Sequence, residues 1–289
     1  MSRAWYSNRS TWSGFLSSRC VQRPGAAASP GRSYRRDPGP STSRDCVCAH
    51  LIATAVPAGP VDRYRRGVTE ARTVVLRAVA AVLPDPRVLA RPVRVAVDGV
   101  DGAGKTTFAD ELAEVLRADG RSVLRASVDG FHRPAAQRYR RGRASPEGFF
   151  LDSYDLDALR RVLLDPLRAD RGRPRRVRTA VHDVVTDADP GTPWVDVDDA
   201  TVAVVDGIFL HRDELVDVWD LSIWLEVPFE VTYRRMAVRD GCPPDPDHDA
   251  NTRYREGQRL YLAACGPAER AHVVVDNSDT TRPRVLRSP

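Results

Sequence analysis

One lysine occurs in the 289 residues, Lys105, and it closes the stretch Gly99-Val-Asp-Gly-Ala-Gly-Lys-Thr106; every other one of the 44 basic side chains is arginine. The spacing Gly-x-x-x-x-Gly-Lys-Thr lets backbone N–H groups wrap an anion. It places a compact ammonium where nucleotide phosphates lie and offers a threonine hydroxyl to a divalent cation. Such a loop has to join a strand to a helix whose N-terminus faces the anion. The flanks meet that demand. Val93, Val95 and Val97 alternate with Arg94 and Ala96 before the loop, and Phe108, Leu112, Val115 and Leu116 recur at helical spacing after it. Asp110, Glu111 and Glu114 lie early in that helix, Arg117 lies late, and Asp119-Gly120 marks its stop. Gly99, Asp101, Gly102, Ala103, Gly104, Lys105, Thr106 and Thr107 are therefore expected to hold the phosphates of ATP, with Thr106 also serving Mg2+.

Further apolar runs predict strands over 93–98, 122–128, 201–206, 221–227 and 272–276, with a helix over 229–239. Strands alternating with helices imply an α/β P-loop NTPase fold: three layers, α/β/α, around a mainly parallel five-stranded sheet. Residues 87–282 are assigned to this domain. A leading helix is expected within 61–86, where Val68, Ala71, Val75, Leu76, Val79 and Val82 form one stripe before Pro84-Asp-Pro86. Residues 1–60 are rich in Ser, Arg, Gly and Pro, have no acid before Asp37, and are expected to be disordered. Their composition is superficially that of an organellar transit peptide. A start assigned too far upstream is the preferred explanation, with a natural start at a non-Met codon such as Val61 or Val68. Residues 283–289 read as a tail.

A net charge of +5 is too small to argue by itself for a nucleic-acid partner, and no run of about 18 apolar residues exists to span a membrane. Five scattered cysteines form no disulfide framework, and Cys46-x-Cys48-x-His50 matches no usual zinc spacing. A cytoplasmic protein with reduced thiols is expected. The oligomeric state is left open.

In parallel α/β sheets, sites gather at the carboxyl ends of strands. Asp129-Gly-Phe-His132 follows the second strand, and Asp206-Gly-Ile208 closes the apolar run Thr201–Val205. The Asp-x-Phe-(Tyr or His) pattern after the second strand of a P-loop domain resembles the uridine kinase, phosphoribulokinase and pantothenate kinase group. Asp206-Gly207-Ile208 looks like a shorter counterpart of the Glu-Gly-Ile of uridine kinases. The resemblance covers about residues 90–280 and implies an ATP-dependent kinase that phosphorylates a hydroxyl of a small acceptor, a nucleoside such as uridine first among them. By resemblance Asp129 is the base that takes or orients the hydroxyl proton, and Phe131 and His132 lie at the acceptor. Asp206 has the form of a carboxylate that holds magnesium.

Phe229-Glu-Val-Thr-Tyr-Arg-Arg-Met-Ala-Val-Arg239-Asp240 resembles the lid helix of these kinases, which assigns Arg235 to the nucleotide and Arg239 to catalysis. The insertion between Phe131 and Thr201 is expected to carry acceptor specificity. It contains the basic run Arg138-Tyr-Arg-Arg-Gly-Arg143, a helix over Leu156–Leu164 capped by Asp155, and Val181-His182-Asp183. His182 stands where a uridine kinase tyrosine would pack on the pyrimidine, and Asp187 where a further family histidine would fall, which puts uridine recognition in question. His182, Asp183 and Gln258 are assigned to the acceptor. Kinases acting on ribulose phosphate, pantothenate, nicotinamide riboside or other sugars and vitamins are the nearest alternatives, and the basic run favours an acceptor that already carries phosphate. Thymidylate kinase shares the P-loop tail but lacks its later Asp-Arg pair here. A nucleotide-dependent nucleic-acid-binding protein, using the arginines of 138–143 and 168–178, and a regulatory nucleotide-binding module remain rivals from other classes.

Overall fold

Val93 to Val97 are buried on both sides because β1 (Val93–Gly99) runs through the middle of a sheet. The structure is a computed structural model that describes residues 69–168 and 175–289. The 1–60 extension, the start of the leading helix and the Cys46, Cys48 and His50 group lie outside the described residues.

Before β1 come α1 (Glu70–Ala81) and the short α2 (Pro86–Leu89). Thr69 caps α1 by accepting from the Arg72 N–H, and Val75, Leu76 and Val79 of the anticipated stripe are buried. The loop after β1 leads into α3 (Lys105–Ala118), then β2 (Ser122–Ser127). The insertion follows: α4 (Ala135–Arg138), α5 (Pro146–Asp152), α6 (Leu156–Leu159), a π turn over Arg160–Leu164, and α7 (Asp165–Arg168). Asp155 caps α6 by accepting from the Ala158 N–H at 2.9 Å. Two residues each of β3 (Arg176–Val177) and β4 (Val195–Asp196) form a small antiparallel ladder. The core resumes with β5 (Thr201–Gly207), β6 (Leu221–Glu226), α8 (Phe229–Asp240), α9 (Thr252–Cys265), α10 (Pro267–Arg270), β7 (Val273–Asp276) and β8 (Arg284–Arg287).

The sheet order is β2-β5-β1-β6-β7-β8. β1 and β5 are buried throughout, and such unbroken apolar runs belong to the centre of a parallel sheet covered on both faces. The five anticipated strands are parallel as expected. The tail adds a sixth, β8, which pairs antiparallel with β7. Its four residues are all exposed, so no burial pattern marks it; it forms because β7 presents an open edge.

Three carboxyl ends meet: Gly99 of β1 opens the phosphate loop, Asp206 sits in β5 alongside, and Asp129 follows β2 on the far side of β5. The insertion is tied to this edge by α5 against α9. At Gly257 a Cβ would lie 2.7 Å from the Phe149 ring, so only glycine allows that approach. Phe209 is a buried hub, meeting Phe149, Phe150, Tyr154 and Tyr261 edge-on. Its φ of 67° is a left-handed conformation costly for a bulky side chain, and it falls in the turn after Asp206.

Candidate active site

The anion cradle is made by backbone geometry. Gly102 and Gly104 have φ of 76° and 88°, and a Cβ at Gly102 would approach the Thr232 carbonyl to 2.7 Å. The loop therefore packs directly against α8, the helix the sequence marks as a lid. Lys105 is buried, donating from Nζ to the Val100 carbonyl at 2.9 Å. The Thr106 hydroxyl donates to Asp206 Oδ2 at 2.6 Å, and Arg125 donates to Asp206 Oδ1 at 2.9 Å. Burial pushes the Asp206 carboxyl up from its ordinary range, against the pull of Arg125 and Thr106. Two hard oxygens beside a phosphate loop suit magnesium, which binds through few protein ligands and keeps several waters.

Gly102, Gly104, Lys105, Thr106 and Thr107 line one small cavity together with Asp129, Asp206 and Arg239. The P-loop lysine and the Asp129 carboxylate thus share one space, though they are 24 positions apart in the chain. Arg239 reaches it from the last turn of α8, half exposed and paired with Asp240. Asp129 sits in a 3₁₀ turn whose start is capped by the Ser127 hydroxyl, and its Oδ1 accepts from the Tyr154 hydroxyl at 3.0 Å. Burial, with Asp129 and Asp101 nearby, drives the Tyr154 hydroxyl pKa well up, so Tyr154 stays a donor.

Not every anticipated residue faces the phosphates. Gly99 stays at the strand end, its N–H held by Asp98 at 2.7 Å. Ala103 is buried, and its carbonyl accepts from Asn277. Arg235 turns its guanidinium to the carbonyls of Asn277 and Ser278, at 2.9 and 2.8 Å, and to Gly102 at 3.4 Å; it braces the loop from behind. Phe131 is fully buried and packs the core instead of facing an acceptor. Gln258 is also buried; its Oε1 accepts from the Asp101 N–H at 2.6 Å, so it fastens the phosphate loop to α9.

Asp101 departs furthest from its assignment. Its carboxylate leaves the cradle and lines a separate cleft of about 490 Å³, shared with His132, Tyr139, Phe149, Tyr154, Ile208 and Tyr254 among others. His132 stacks at a tilt on Tyr154, ring centroids 4.5 Å apart, and bonds through Nδ1 to the Asp129 carbonyl. His182 lies on the other side of Asp129, in a second cleft of about 440 Å³, with Asp183. The His182 Nε2 meets Asp187 at 3.1 Å, and the Asp183 Oδ1 accepts from the Val185 and Thr186 N–H groups.

Several supporting residues went unremarked in the sequence. Asp98 accepts at Oδ2 from the Leu210 and His211 N–H groups, from His211 Nδ1 at 2.8 Å, and from the Tyr261 hydroxyl at 2.5 Å. This buried knot joins β1, the turn after Asp206, and α9. Arg72 of α1 reaches Glu111, Asn277 and the Thr280 carbonyl, and Asn277 in turn holds the loop at Ala103. A polar residue closing an apolar strand was the one available signal for Asp98, and Tyr154 stands in the segment Glu147–Asp155 that resembles the family's Pro-x-Ala-Phe-Asp before a helix; none marked Arg72, Arg125 or Asn277.

The profile of the phosphoribulokinase / uridine kinase family matches residues 94–243, which span the phosphate loop, Asp129, Asp206 and α8. The chain belongs to this family. A uridine kinase of Leuconostoc citreum is 28% identical over 158 residues, covering 52% of this chain and 69% of the relative. A uridine kinase of Ureaplasma urealyticum is 25% identical over 150 residues with the same coverage. Among solved structures, a possible uridine kinase from Bacillus stearothermophilus superposes with a TM-score of 0.54 at 22% identity, over 71% of this chain and 96% of that one. That likeness speaks for the fold. Family membership makes the chain a P-loop kinase, and among the described residues no helix is long and apolar enough to cross a membrane.

Proposed function

We propose that this kinase transfers the γ-phosphoryl group of ATP to a hydroxyl of a small polar acceptor, with Mg2+ held by the Thr106 hydroxyl and Asp206. The single observation carrying the reading is the cavity in which Lys105, Asp129 and Arg239 converge. Phosphoryl transfer needs alignment and charge neutralisation more than covalent chemistry. Lys105 swings from the Val100 carbonyl onto the β- and γ-phosphates, and the N-terminus of α3 adds its partial positive charge. Magnesium, when bound, neutralises charge on the phosphate oxygens. Asp129 accepts the proton of the incoming hydroxyl, and the Tyr154 hydroxyl fixes the rotamer of that carboxylate. Arg239 gathers the charge that spreads over the transferring group.

The cleft of Asp101, His132 and Tyr154 is the proposed acceptor site; it meets Asp129 through the Tyr154 hydroxyl and the His132 ring, while Asp129 itself lines the phosphate cavity and the cleft of His182. A nucleoside is the first acceptor to try, because the relatives are called uridine kinases and aromatic walls suit a base. A sugar- or vitamin-like acceptor is the second reading. It is favoured by His182, which is bonded to Asp187 and lines the other cleft instead of stacking over this one. Several of the described arginines once suited to a nucleic-acid partner are paired within the fold: Arg140 and Arg141 on Asp152, Arg175 on Asp199, Arg176 on Asp196, Arg178 on Asp189. The buried thiols of Cys242 and Cys265 support a cytoplasmic setting.

A coupled ADP-release screen over nucleosides, ribulose 5-phosphate, pantothenate and nicotinamide riboside tests the proposal. Acceptor-dependent ADP release, abolished by Asp129→Asn, is the expected result. ADP release that no acceptor stimulates, with Asp129→Asn equal to the parent, overturns it.

A further inference from the structure

The basic run Arg138-Tyr-Arg-Arg-Gly-Arg143 does not form one surface. Arg140 and Arg141 both turn to the buried carboxylate of Asp152, at 2.6 and 2.9 Å. Arg138 and Arg143 turn the other way, into the wall of the cleft that also holds Asp101 and Tyr154. A third guanidinium joins them from α9. The Arg138, Arg143 and Arg253 guanidinium carbons lie 5.3, 4.5 and 5.1 Å from the centre of the Tyr139 ring. Three cations around one aromatic ring repel one another, and stacking on the ring offsets only part of that cost.

Acidic partners do not account for the cluster. Among the ion pairs of the described residues, Asp187 is the carboxylate that meets it, at 3.4 Å from Arg138. Asp187 also accepts from the Ala135 N–H and from His182. Arg253 spends its Nη1 on the carbonyls of Gly142, Arg143 and Ser145. The Arg138 Nε is buried with no hydrogen-bond partner, and Arg143 is exposed at the mouth. Burial, helped by the charges of Arg138 and Arg143, pulls the Arg253 guanidinium pKa down. The cluster therefore carries unspent positive charge facing a cleft, an arrangement that binding of an anion relieves.

The deeper wall has the opposite character. Asp101 is buried, and its Oδ1 has no hydrogen-bond partner; Lys105 stands 4.0 Å away, toward the phosphate cavity. A buried carboxylate oxygen without a donor is costly and calls for a hydroxyl or amine from a ligand.

We propose that the acceptor is a hydroxyl-bearing small molecule that already carries an anionic group, its anion held by Arg143, Arg138 and Arg253 and its hydroxyls directed toward Asp101 and Asp129. The inference rests on reading this cleft as the acceptor site. It disfavours an uncharged nucleoside and leaves phosphate and carboxylate as the two sources of the anion.

The full chain is loaded with Mg2+ and a non-hydrolysable ATP analogue, so that the phosphate loop is filled, and matched probes are titrated by calorimetry. Ribose 5-phosphate against ribose reports on phosphate, and glycerate against glycerol on carboxylate. The expected result is at least a tenfold preference for the charged member of one pair. Arg143→Ala should remove that preference and Arg143→Glu reverse it, while Arg117→Ala, which deletes a charge on the far face of α3, keeps it. Melting curves check that Arg143→Ala is folded. Charged and neutral probes binding alike, or a preference that survives Arg143→Ala, overturns the inference while leaving ATP-dependent transfer to another acceptor intact. Loss of ATP-analogue affinity in Arg143→Ala also overturns it, because the arginines then serve the nucleotide. Failure of the kinase reading shows separately, as ADP release that no acceptor stimulates.

Discussion

Two aspartates at opposite ends of the sheet, Asp101 buried and Asp220 partly so, behave differently. At the amino ends of β1 and β6, both Asp220 oxygens are filled: Arg91 donates twice, and the Arg94 backbone and guanidinium donate as well. Burial alone would raise the Asp220 carboxyl, yet these hydrogen bonds hold it down at about 2. At the carboxyl ends, Asp101 Oδ1 has no hydrogen-bond partner and only a distant ion pair with Lys105 at 4.0 Å, and Lys105 donates to a loop carbonyl that it would release to meet a phosphate. At the amino end the Asp220 carboxylate is fully satisfied and serves folding, with Arg94 Nη1 the one atom of that group left without a hydrogen bond. The carboxyl end is incomplete, and its missing partners have the chemistry of ligands.

The largest effect that would break the contrast is at Asp129. Asp129→Asn is expected to lower kcat about 10²- to 10⁴-fold, with ATP affinity nearly unchanged in a direct binding titration. Lys105→Ala should lower turnover about 10²- to 10³-fold and weaken ATP as well, as acceptor-dependent ADP release and calorimetry would record. Asp220→Ala acts on the other end. It strands Arg94 in the interior and should cost about 3 kcal/mol in urea unfolding, while kcat per folded molecule stays the same. A fall in kcat without loss of stability would erase the distinction between the two ends.

The two ends also differ in pH response. The Asp220 pKa lies below its ordinary 3.8, so its contribution to stability is complete above that value and is lost as pH falls through about 2. Asp206 is shifted the other way by burial. In the proposed mechanism Asp206 must be ionised to hold magnesium, so its protonation should contribute an acid limb of kcat/KM above the ordinary carboxylate range, a contribution that Asp206→Asn removes from the pH profile while that of Asp129 remains. The smallest effect belongs to neither end: Arg117→Ala removes an exposed pair with Glu114 and should change stability by less than about 0.5 kcal/mol in the same urea experiment.

Chain order alone located the phosphate loop, the five parallel strands and the two acids that follow β2 and end β5. Each rests on a local signal, a motif or a run whose period is set by the backbone. Reading failed where a side chain's direction depends on what lies across space. Asp101 sits among phosphate-binding residues, but Gln258, 157 positions later, seizes its N–H and the carboxylate faces the neighbouring cleft. Phe131 belongs to an acceptor motif and is buried beneath it. The arginine run looked uniform; its division between Asp152 and the Tyr139 ring is a matter of which way each residue of a short turn points.

What the residues declare unaided is that this chain grips phosphate at the end of a parallel strand, since backbone periodicity and a glycine-lysine loop need no distant partner to be recognised. Which groups line the proposed acceptor cleft, and with what charge, emerged from contacts between α4, α5, α9 and the loop after β1. Hydrogen bonds and ion pairs depend on separations of a few ångströms, and those separations exist once the chain has folded.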